Sequence, residues 1–319
     1  MRYKYKIYYS DRHRNQVMSC DPDTGKTEVE AQSLKDPYGL AIDNTGEILV
    51  SDKNSHRIVR LKKGNVEKIR TFDPDGHRKK HAVKYQDNPE SPAGLFWEKG
   101  NSLLVCYSDD HTIYRVNKEG KLELVLGIPY ARNYGFAGAA QEVKEEEIKN
   151  TPIHIPTSLV AKEDGTIFFI ERGYQAVRKY EPKKGFASIF PLGLSHKFQN
   201  TKEILPKTNT NSYCAVFPTA LAIEEDSLFL ADGQHRCVYE IDLKSKEMTL
   251  VMQTSPNANK YGPGPVGIAM GKDKTLWVLD IAGNCLQGFQ KTQEKHWKKV
   301  DAEFIFPQSA PLCGMGGTG

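Results

Sequence analysis

The chain has 319 residues, of which 39% are hydrophobic and 26% are charged, and its formal net charge at pH 7 is +4. These proportions are typical of a globular protein. No apolar run approaches the roughly 18 residues that a membrane-spanning helix needs, so we predict no membrane association. The isoelectric point near 8.5 lies below the value of about 9 that by itself indicates a nucleic-acid-binding domain.

The first predicted unit, residues 1–34, contains three strands, and the turn at residues 21–25 joins the last two. The N-terminal segment 1–7 carries basic residues but no apolar core, so the sequence predicts no signal peptide there. Compared with the unit that follows it, this unit lacks its first strand.

The second unit, residues 35–71, shows the clearest strand pattern in the chain. Short runs of β-branched and apolar residues alternate with turns such as Asn44-Thr45-Gly46. Such runs, bounded by turn residues, predict β-strands rather than helices. The four predicted strands are Gly39–Asp43, Glu47–Ser51, Arg57–Leu61 and Val66–Thr71.

The same pattern recurs along the chain. Five other stretches align without gaps on the second and third strands of the second unit: Ile7–Met18, Leu103–Tyr114, Ile167–Arg178, Leu228–Tyr239 and Leu276–Gln287. The residue that ends the second strand, here called the repeated acid, is Asp11, Asp52, Tyr107, Glu171, Asp232 and Asp280 in chain order. Prolines precede the first strands at Pro37, Pro92, Pro156, Pro218 and Pro265. Self-similarity at about 40 residues and above, with four strands per unit, predicts a β-propeller.

Three motifs in residues 37–58 resemble a known family. They are Pro-Tyr-Gly-Leu-Ala-Ile-Asp, Gly-Glu-Ile-Leu-Val-Ser-Asp and Asn-Ser-His-Arg-Ile. Together they resemble the NHL repeat, closely in the second unit and more distantly in the others. The resemblance implies a propeller fold. It leaves the function open, because NHL propellers serve as RNA-binding, protein-binding and enzymatic scaffolds.

We therefore predict an all-β fold in a single domain, residues 1–319. The domain is a six-bladed, NHL-like β-propeller with four-stranded antiparallel blades. We predict that the apolar, glycine-rich segment Phe304–Gly319 supplies the missing inner strand of the first blade, which removes exposed sheet edges. The predicted blades are residues 1–34 with 305–319, 35–90, 91–154, 155–216, 217–261 and 262–304.

Four long insertions join the outer strand of one predicted blade to the inner strand of the next. Chain direction places these connections on the same face as the turns between second and third strands. Insertions gathered on one face of a repeat protein often form its binding surface. We therefore predict that this long-loop face binds the ligand. The insertions are residues 73–91, 127–155, 192–217 and 254–263.

The repeated acid supplies the candidate catalytic residues. The NHL resemblance implies that this acid accepts hydrogen bonds from backbone groups of its own turn. Tyr107 and Glu171 depart from the pattern in two neighbouring blades, and Glu171 is expected to be a partly buried carboxylate. These two residues, with His154 just before an inner strand, are the candidate catalytic residues.

The ligand-binding candidates combine cations, an amide, an aromatic ring and imidazoles, a mixture that suits a pocket with convergent polar groups. Histidines near one face could also hold a divalent metal. They come from different blades and lack a ligand-like spacing, so we predict no metal site and no cofactor, and a divalent ion stays an open alternative. The ligand-binding candidates are Arg132, Asn133, Tyr134, Arg172, His111 and His235.

Other chemistries have less support. Gluconolactonase-type propellers use acidic and amide ligands at the inner strands, whereas Tyr38, Ala93, Thr157, Thr219 and Val266 follow the prolines here. The Pro-His-Gly openings of peptidyl-hydroxyglycine lyases are absent, and so are Ser-His-Asp and P-loop patterns. Basic and aromatic residues in segments 75–85 and 130–136 are compatible with RNA, but acidic residues at 142–147 share that face.

Three functions remain, in order of preference. The first is a binding scaffold that uses the long-loop face for a protein or small-molecule ligand. The second is a hydrolase- or lyase-type enzyme with its site at the mouth of the central channel, and the third is an RNA-binding domain. We predict a monomer. The six cysteines form no C-x-x-C pair, which favours a reduced, cytoplasmic setting and leaves secretion open.

Overall fold

A computed structural model describes residues 3–62, 65–71, 91–128, 152–182, 185–190, 217–245, 248–254, 264–293 and 296–305. These residues form a ring of antiparallel sheets in which strands that follow one another in sequence are hydrogen-bonded neighbours. The prediction of an all-β, six-bladed propeller is confirmed.

The sheets follow the predicted repeat. The first contains β1 (Ile7–Asp11), β2 (Gln16–Cys20) and β3 (Thr27–Ala31), and the second contains β4 (Pro37–Ile42), β5 (Ile48–Asp52), β6 (Arg57–Lys62) and β7 (Asn65–Thr71). The third contains β8 (Pro92–Glu98), β9 (Ser102–Tyr107), β10 (Thr112–Val116) and β11 (Leu122–Gly127). The fourth contains β12 (Pro156–Ala161), β13 (Ile167–Glu171), β14 (Ala176–Glu181) and β15 (Gly185–Phe190). The fifth contains β16 (Pro218–Glu224), β17 (Ser227–Asp232), β18 (Cys237–Asp242) and β19 (Met248–Gln253), and the sixth contains β20 (Pro265–Met270), β21 (Leu276–Asp280), β22 (Cys285–Lys291) and β23 (Trp297–Ile305).

The second strands of several blades are nearly continuous apolar runs in the sequence. Every residue of β5, β13 and β21 is buried, because each of these strands packs against a neighbouring blade on both of its faces. A strand that is covered on both faces reads as a continuous apolar run rather than as an alternation. Outer strands such as β3 are largely exposed instead.

The hydrophobic core lies between the blades. Leu104 of β9 and Phe169 of β13, for example, belong to one buried cluster that joins the third and fourth blades. Neighbouring inner strands also approach closely. A Cβ atom at Gly39 would lie 2.2 Å from the carbonyl oxygen of Ala93, so this position has room only for glycine. The glycine of the Pro-Tyr-Gly motif is therefore required by the packing of β4 on β8.

The first sheet shows three strands among the described residues, and β1 lies against β4 as β5 lies against β8. β1 therefore corresponds to the second strand of the other blades, and the position of the inner strand of the first blade lies beside it. The predicted closing segment begins too early, because Phe304 and Ile305 pair with β22 and complete the outer strand of the sixth blade. The remainder of that segment, residues 306–319, lies outside the described residues, so closure by a C-terminal strand stays a prediction.

Candidate functional site

One face of the propeller carries the turns between second and third strands together with the segments that precede the inner strands. We call it the insertion face. The backbone N–H of Ser108 donates to the carbonyl of Ser91 over 3.3 Å, and that of Arg172 donates to the carbonyl of Ile155 over 3.0 Å. These bonds bring the ends of the long insertions to the predicted face. Most of each insertion lies outside the described residues.

The repeated acid has different partners in different blades. Asp11 and Asp232 accept N–H groups of their own turns, as the sequence predicts. Asp52 instead accepts the N–H of Lys35, in the segment before β4, and binds Arg57 at 2.6 Å. The described contacts of Asp52 therefore lie outside its own turn, in contrast to what the NHL resemblance implies.

Glu171 forms the corresponding contacts in the fourth blade with a longer side chain. Its Oε1 accepts the N–H of His154 at 2.7 Å, and its Oε2 accepts a hydrogen bond from Arg178 Nε at 2.7 Å. Glu171 and Arg178 are 0% and 3% exposed. Burial raises the pKa of Glu171, and the bonds from Arg178 and His154 oppose that rise. Both carboxylate oxygens are thus engaged in holding the blade together.

The residue that ends each second-to-third turn has a left-handed backbone in all six blades: Asn15, His56, His111, Gln175, Arg236 and Asn284. Three of these side chains accept the N–H of the residue that precedes the next inner-strand proline. Asn15 Oδ1 accepts from Asp36 at 2.9 Å, His56 Nδ1 from Ser91 at 3.2 Å, and His111 Nδ1 from Ile155 at 3.1 Å. The turn of one blade therefore anchors the chain as it enters the next blade.

The structure brings the candidates His111 and His154 together. Their rings stack with centroids 4.9 Å apart and planes inclined by 22°. A Cβ at Gly173 would lie 1.8 Å from His154 Nδ1, so the imidazole packs where only glycine leaves space. Nδ1 of His111 also accepts the N–H of Ile155, so His111 helps to hold the segment that precedes β12.

The other candidates are placed separately. Tyr107 is fully buried and packs edge-on against Tyr114, with ring centroids 5.7 Å apart. His235 is paired with Asp232 Oδ2 at 2.6 Å, and this carboxylate raises the pKa of the imidazole. The candidates Arg132, Asn133 and Tyr134 lie outside the described residues.

A central channel of about 1300 Å³ runs between the inner strands. Its mouth on the insertion face is lined by Arg12, Tyr38, Arg172 and Phe217. Arg12 and Arg172 occupy the same repeat position, directly after the repeated acid, in the first and fourth blades. These blades stand opposite each other in a six-bladed ring, so the two guanidinium groups come from opposite sides of the mouth.

Each of the two arginines lies over an aromatic ring. The guanidinium carbon of Arg12 is 4.7 Å from the centre of the Tyr38 ring, and that of Arg172 is 5.9 Å from the centre of the Phe217 ring. Lys53 adds a third cation 5.7 Å from the Tyr38 ring. Such cation–π contacts hold charged groups over apolar surface without neutralising them.

The three cations differ in their acidic partners. Arg12 Nη2 donates to Asp36 Oδ2 at 2.8 Å, and Lys53 lies 4.0 Å from Asp109. Within the described part of the chain, Arg172 has no carboxylate within ion-pair distance. Glu171, its neighbour in sequence, is buried and bound to Arg178.

Of the predicted site residues, the mouth contains Arg172, while Arg12, Tyr38 and Phe217 also line it and were not among the predicted site residues. A signal for them was present in the sequence. Arg12 directly follows a repeated acid, as Arg172 does, and the two aromatic residues flank inner-strand prolines. Recognising the signal requires knowing that these two positions meet at the channel, which the strand pattern alone does not reveal.

Neither a metal cluster nor a reactive thiol is found among the described residues. No three His, Cys, Asp or Glu side chains there lie close enough to hold a metal ion. The described cysteines are all buried, and burial raises the pKa of Cys237 to about 11, which suppresses its thiolate. The described segments also contain no helix of the length and apolarity that crossing a membrane requires.

The NHL repeat profile matches residues 34–61, the unit with the clearest strand pattern. No curated protein sequence matches the chain. The fold is similar to streptogramin B lyase, with a TM-score of 0.58, 14% identity and coverage of 98% of this chain and 83% of that one. Virginiamycin B lyase from Staphylococcus aureus gives a TM-score of 0.53, 16% identity and coverage of 89% and 75%. A chain of the nidogen/laminin complex gives a TM-score of 0.64, 12% identity and coverage of 98% and 97%. Identities this low show a shared fold alone. The chain is a six-bladed β-propeller that carries an NHL repeat at residues 34–61.

Proposed function

We propose that the protein is a binding module whose ligand sits at the mouth of the central channel on the insertion face. The observation that carries the proposal is the convergence of Arg12, Tyr38, Arg172 and Phe217 on one end of a channel of about 1300 Å³. Concave sites with apolar walls and a few convergent polar groups are the usual ligand sites of proteins.

The fold supplies a rigid frame for such a site. The cations lie on turns that are bonded to the segments before the inner strands, and the aromatic rings flank prolines. A pre-organised site binds more tightly because little side-chain freedom is lost when the ligand arrives. The nidogen/laminin complex offers a parallel, since it contains a chain of similar fold within a protein assembly.

The enzyme alternative has less support from the described residues. The similar fold of streptogramin B lyase is compatible with it. Among the catalytic candidates, however, Tyr107 and Glu171 are fully buried, and none of the three lines the channel. The RNA alternative rests on segments 75–85 and 130–136, which lie outside the described residues, so it stays a prediction.

The test is to map binding by NMR without choosing the ligand class in advance. Isotope-labelled protein is titrated with a mixed set of small organic acids, bases and neutral aromatic compounds. We expect chemical-shift changes to concentrate at Arg12, Tyr38, Arg172 and Phe217. Shift changes that concentrate at the opposite mouth of the channel, near Lys99 and Glu225, would contradict the proposal.

A further inference from the structure

We infer that the ligand of the channel mouth is an organic anion, and that Arg172 binds its carboxylate, sulfonate or phosphate group beside an apolar portion. This inference rests on the proposed function and adds the chemical class of the ligand. It follows from the charges and contacts of the residues at the mouth.

The cations at the mouth differ in whether an acidic side chain faces them. Arg12 and Lys53 each face an acidic neighbour, Asp36 and Asp109 respectively. Arg172 is exposed, and in the described part of the chain its guanidinium contacts the Phe217 ring and no carboxylate. A guanidinium group offers five N–H donors in a planar fork that matches an oxyanion. Among the described residues, no carboxylate occupies the donors of Arg172, so they are placed to bind a ligand.

Glu171, the acid next to Arg172 in sequence, is buried away from the mouth. A neighbouring carboxylate would normally neutralise an arginine and repel an incoming anion. Glu171 does neither at the mouth, because both of its oxygens are directed inward, one to the N–H of His154 and the other to Arg178. Burying this acid on a second arginine separates its charge from Arg172. Glu171 therefore does not offset the positive charge of Arg172 at the mouth.

Apolar side chains lie around the guanidinium group of Arg172. Phe217 lies beneath it, Pro218 follows, and Val266 of the next blade lines the same channel. Across the mouth, Tyr38 adds a half-buried ring. An inorganic ion would use only the cation, whereas an anion attached to a flat apolar group would use the cation and the apolar wall together. The mouth therefore suits an aromatic or otherwise apolar organic acid.

The experiment compares 2-naphthoate with 2-naphthamide, which has a similar shape and no charge. Binding is measured by NMR titration near neutral pH at low ionic strength, because salt screens exposed charges. We expect naphthoate to bind the wild-type mouth about tenfold more tightly than naphthamide, in keeping with a charge-assisted hydrogen bond. The variant Arg172→Gln is expected to lose this preference and to keep the wild-type melting temperature.

A matched control is the variant Arg14→Gln. Arg14 is an exposed arginine on the same face, is paired with Asp11 and does not line the channel. Its substitution removes the same net charge, so a preference that persists in Arg14→Gln and disappears in Arg172→Gln is specific to the site.

Equal binding of both compounds at the mouth would overturn the inference and leave the proposed function standing. Failure of naphthoate to shift the mouth residues at millimolar concentration would also overturn it. A preference for naphthoate that survives in Arg172→Gln would do the same.

Discussion

At the scale of single residues, the repeated acid is a structural position whose partner changes from blade to blade. Asp11 stays within its turn, Asp52 reaches the preceding segment, and Glu171 reaches deeper to Arg178. The additional methylene of glutamate lets the carboxylate meet an arginine that lies further along the third strand. Glu171 was predicted as a catalytic candidate because it stands where four of the blades have aspartate. The contacts account for it as a buried ion pair.

The first prediction concerns that pair. Glu171→Ala should lower the free energy of unfolding by about 3–5 kcal/mol, because it removes the carboxylate that is paired with the buried charge of Arg178. Urea denaturation followed by circular dichroism measures the change. Glu123→Ala is the control, since this exposed carboxylate should contribute less than about 1 kcal/mol. Replacing Arg178 by methionine in the Glu171→Ala variant should restore part of the lost stability. Wild-type stability of Glu171→Ala would contradict the structural role.

The second prediction concerns His235, whose pKa is raised by Asp232. A raised pKa in the folded state means that the folded protein holds the proton more tightly than the unfolded chain does. The stabilisation is therefore complete below the unfolded value of about 6.5 and is lost as the pH rises through the raised value. The stability difference between wild type and His235→Asn should accordingly shrink as the pH is raised from about 6.5 through the raised pKa of the imidazole. A difference that stays constant over that range would show that the proton plays no part.

At the scale of elements, the second-to-third turn is the unit that links one blade to the next. Its last residue has a left-handed backbone in every blade, although none of the six is glycine. Asparagine tolerates this conformation better than most residues. Histidine in the second and third blades keeps the conformation and brings a ring nitrogen to the next segment.

The third prediction tests this link. His56→Ala should cost about 1–3 kcal/mol, because the N–H of Ser91 loses its acceptor in a half-buried setting. His56→Asn should cost less, since Asn15 performs the same function in the first blade. Chemical denaturation of the two variants side by side measures both values. Equal losses for alanine and asparagine would show that the ring packs there without acting as an acceptor.

The sequence predicted the elements well because blades are built from local patterns. Strand runs, turn residues and inner-strand prolines repeat within each unit, so the second to sixth blades could be placed before any contact was known. The contacts of the candidate site were less accessible. Asp52 meets Lys35 from a neighbouring strand connection, and Arg172 faces Arg12 across the ring. Such pairings depend on how blades are arranged around the axis, and strand periodicity does not encode that arrangement.

At the scale of the whole molecule, the blades are joined on both faces as well as through the core. On the face opposite the insertions, Lys162 of the fourth blade binds Asp226 of the fifth at 2.7 Å, and Lys274 of the sixth binds Glu225 at 2.8 Å. Exposed ion pairs of this kind contribute little individually. The buried clusters between blades hold the ring, and the channel exists because the inner strands line it without filling it.

The last prediction concerns closure of that ring. The first sheet has three strands among the described residues, and β1 stands where the other sheets have their second strand. An inner edge left uncovered at this position exposes unpaired N–H and C=O groups, which promote association between molecules. A chain truncated after Ile305 should therefore melt at a lower temperature and form oligomers in size-exclusion chromatography. A truncated chain that stays monomeric with an unchanged melting temperature would show that residues 306–319 do not complete the first blade.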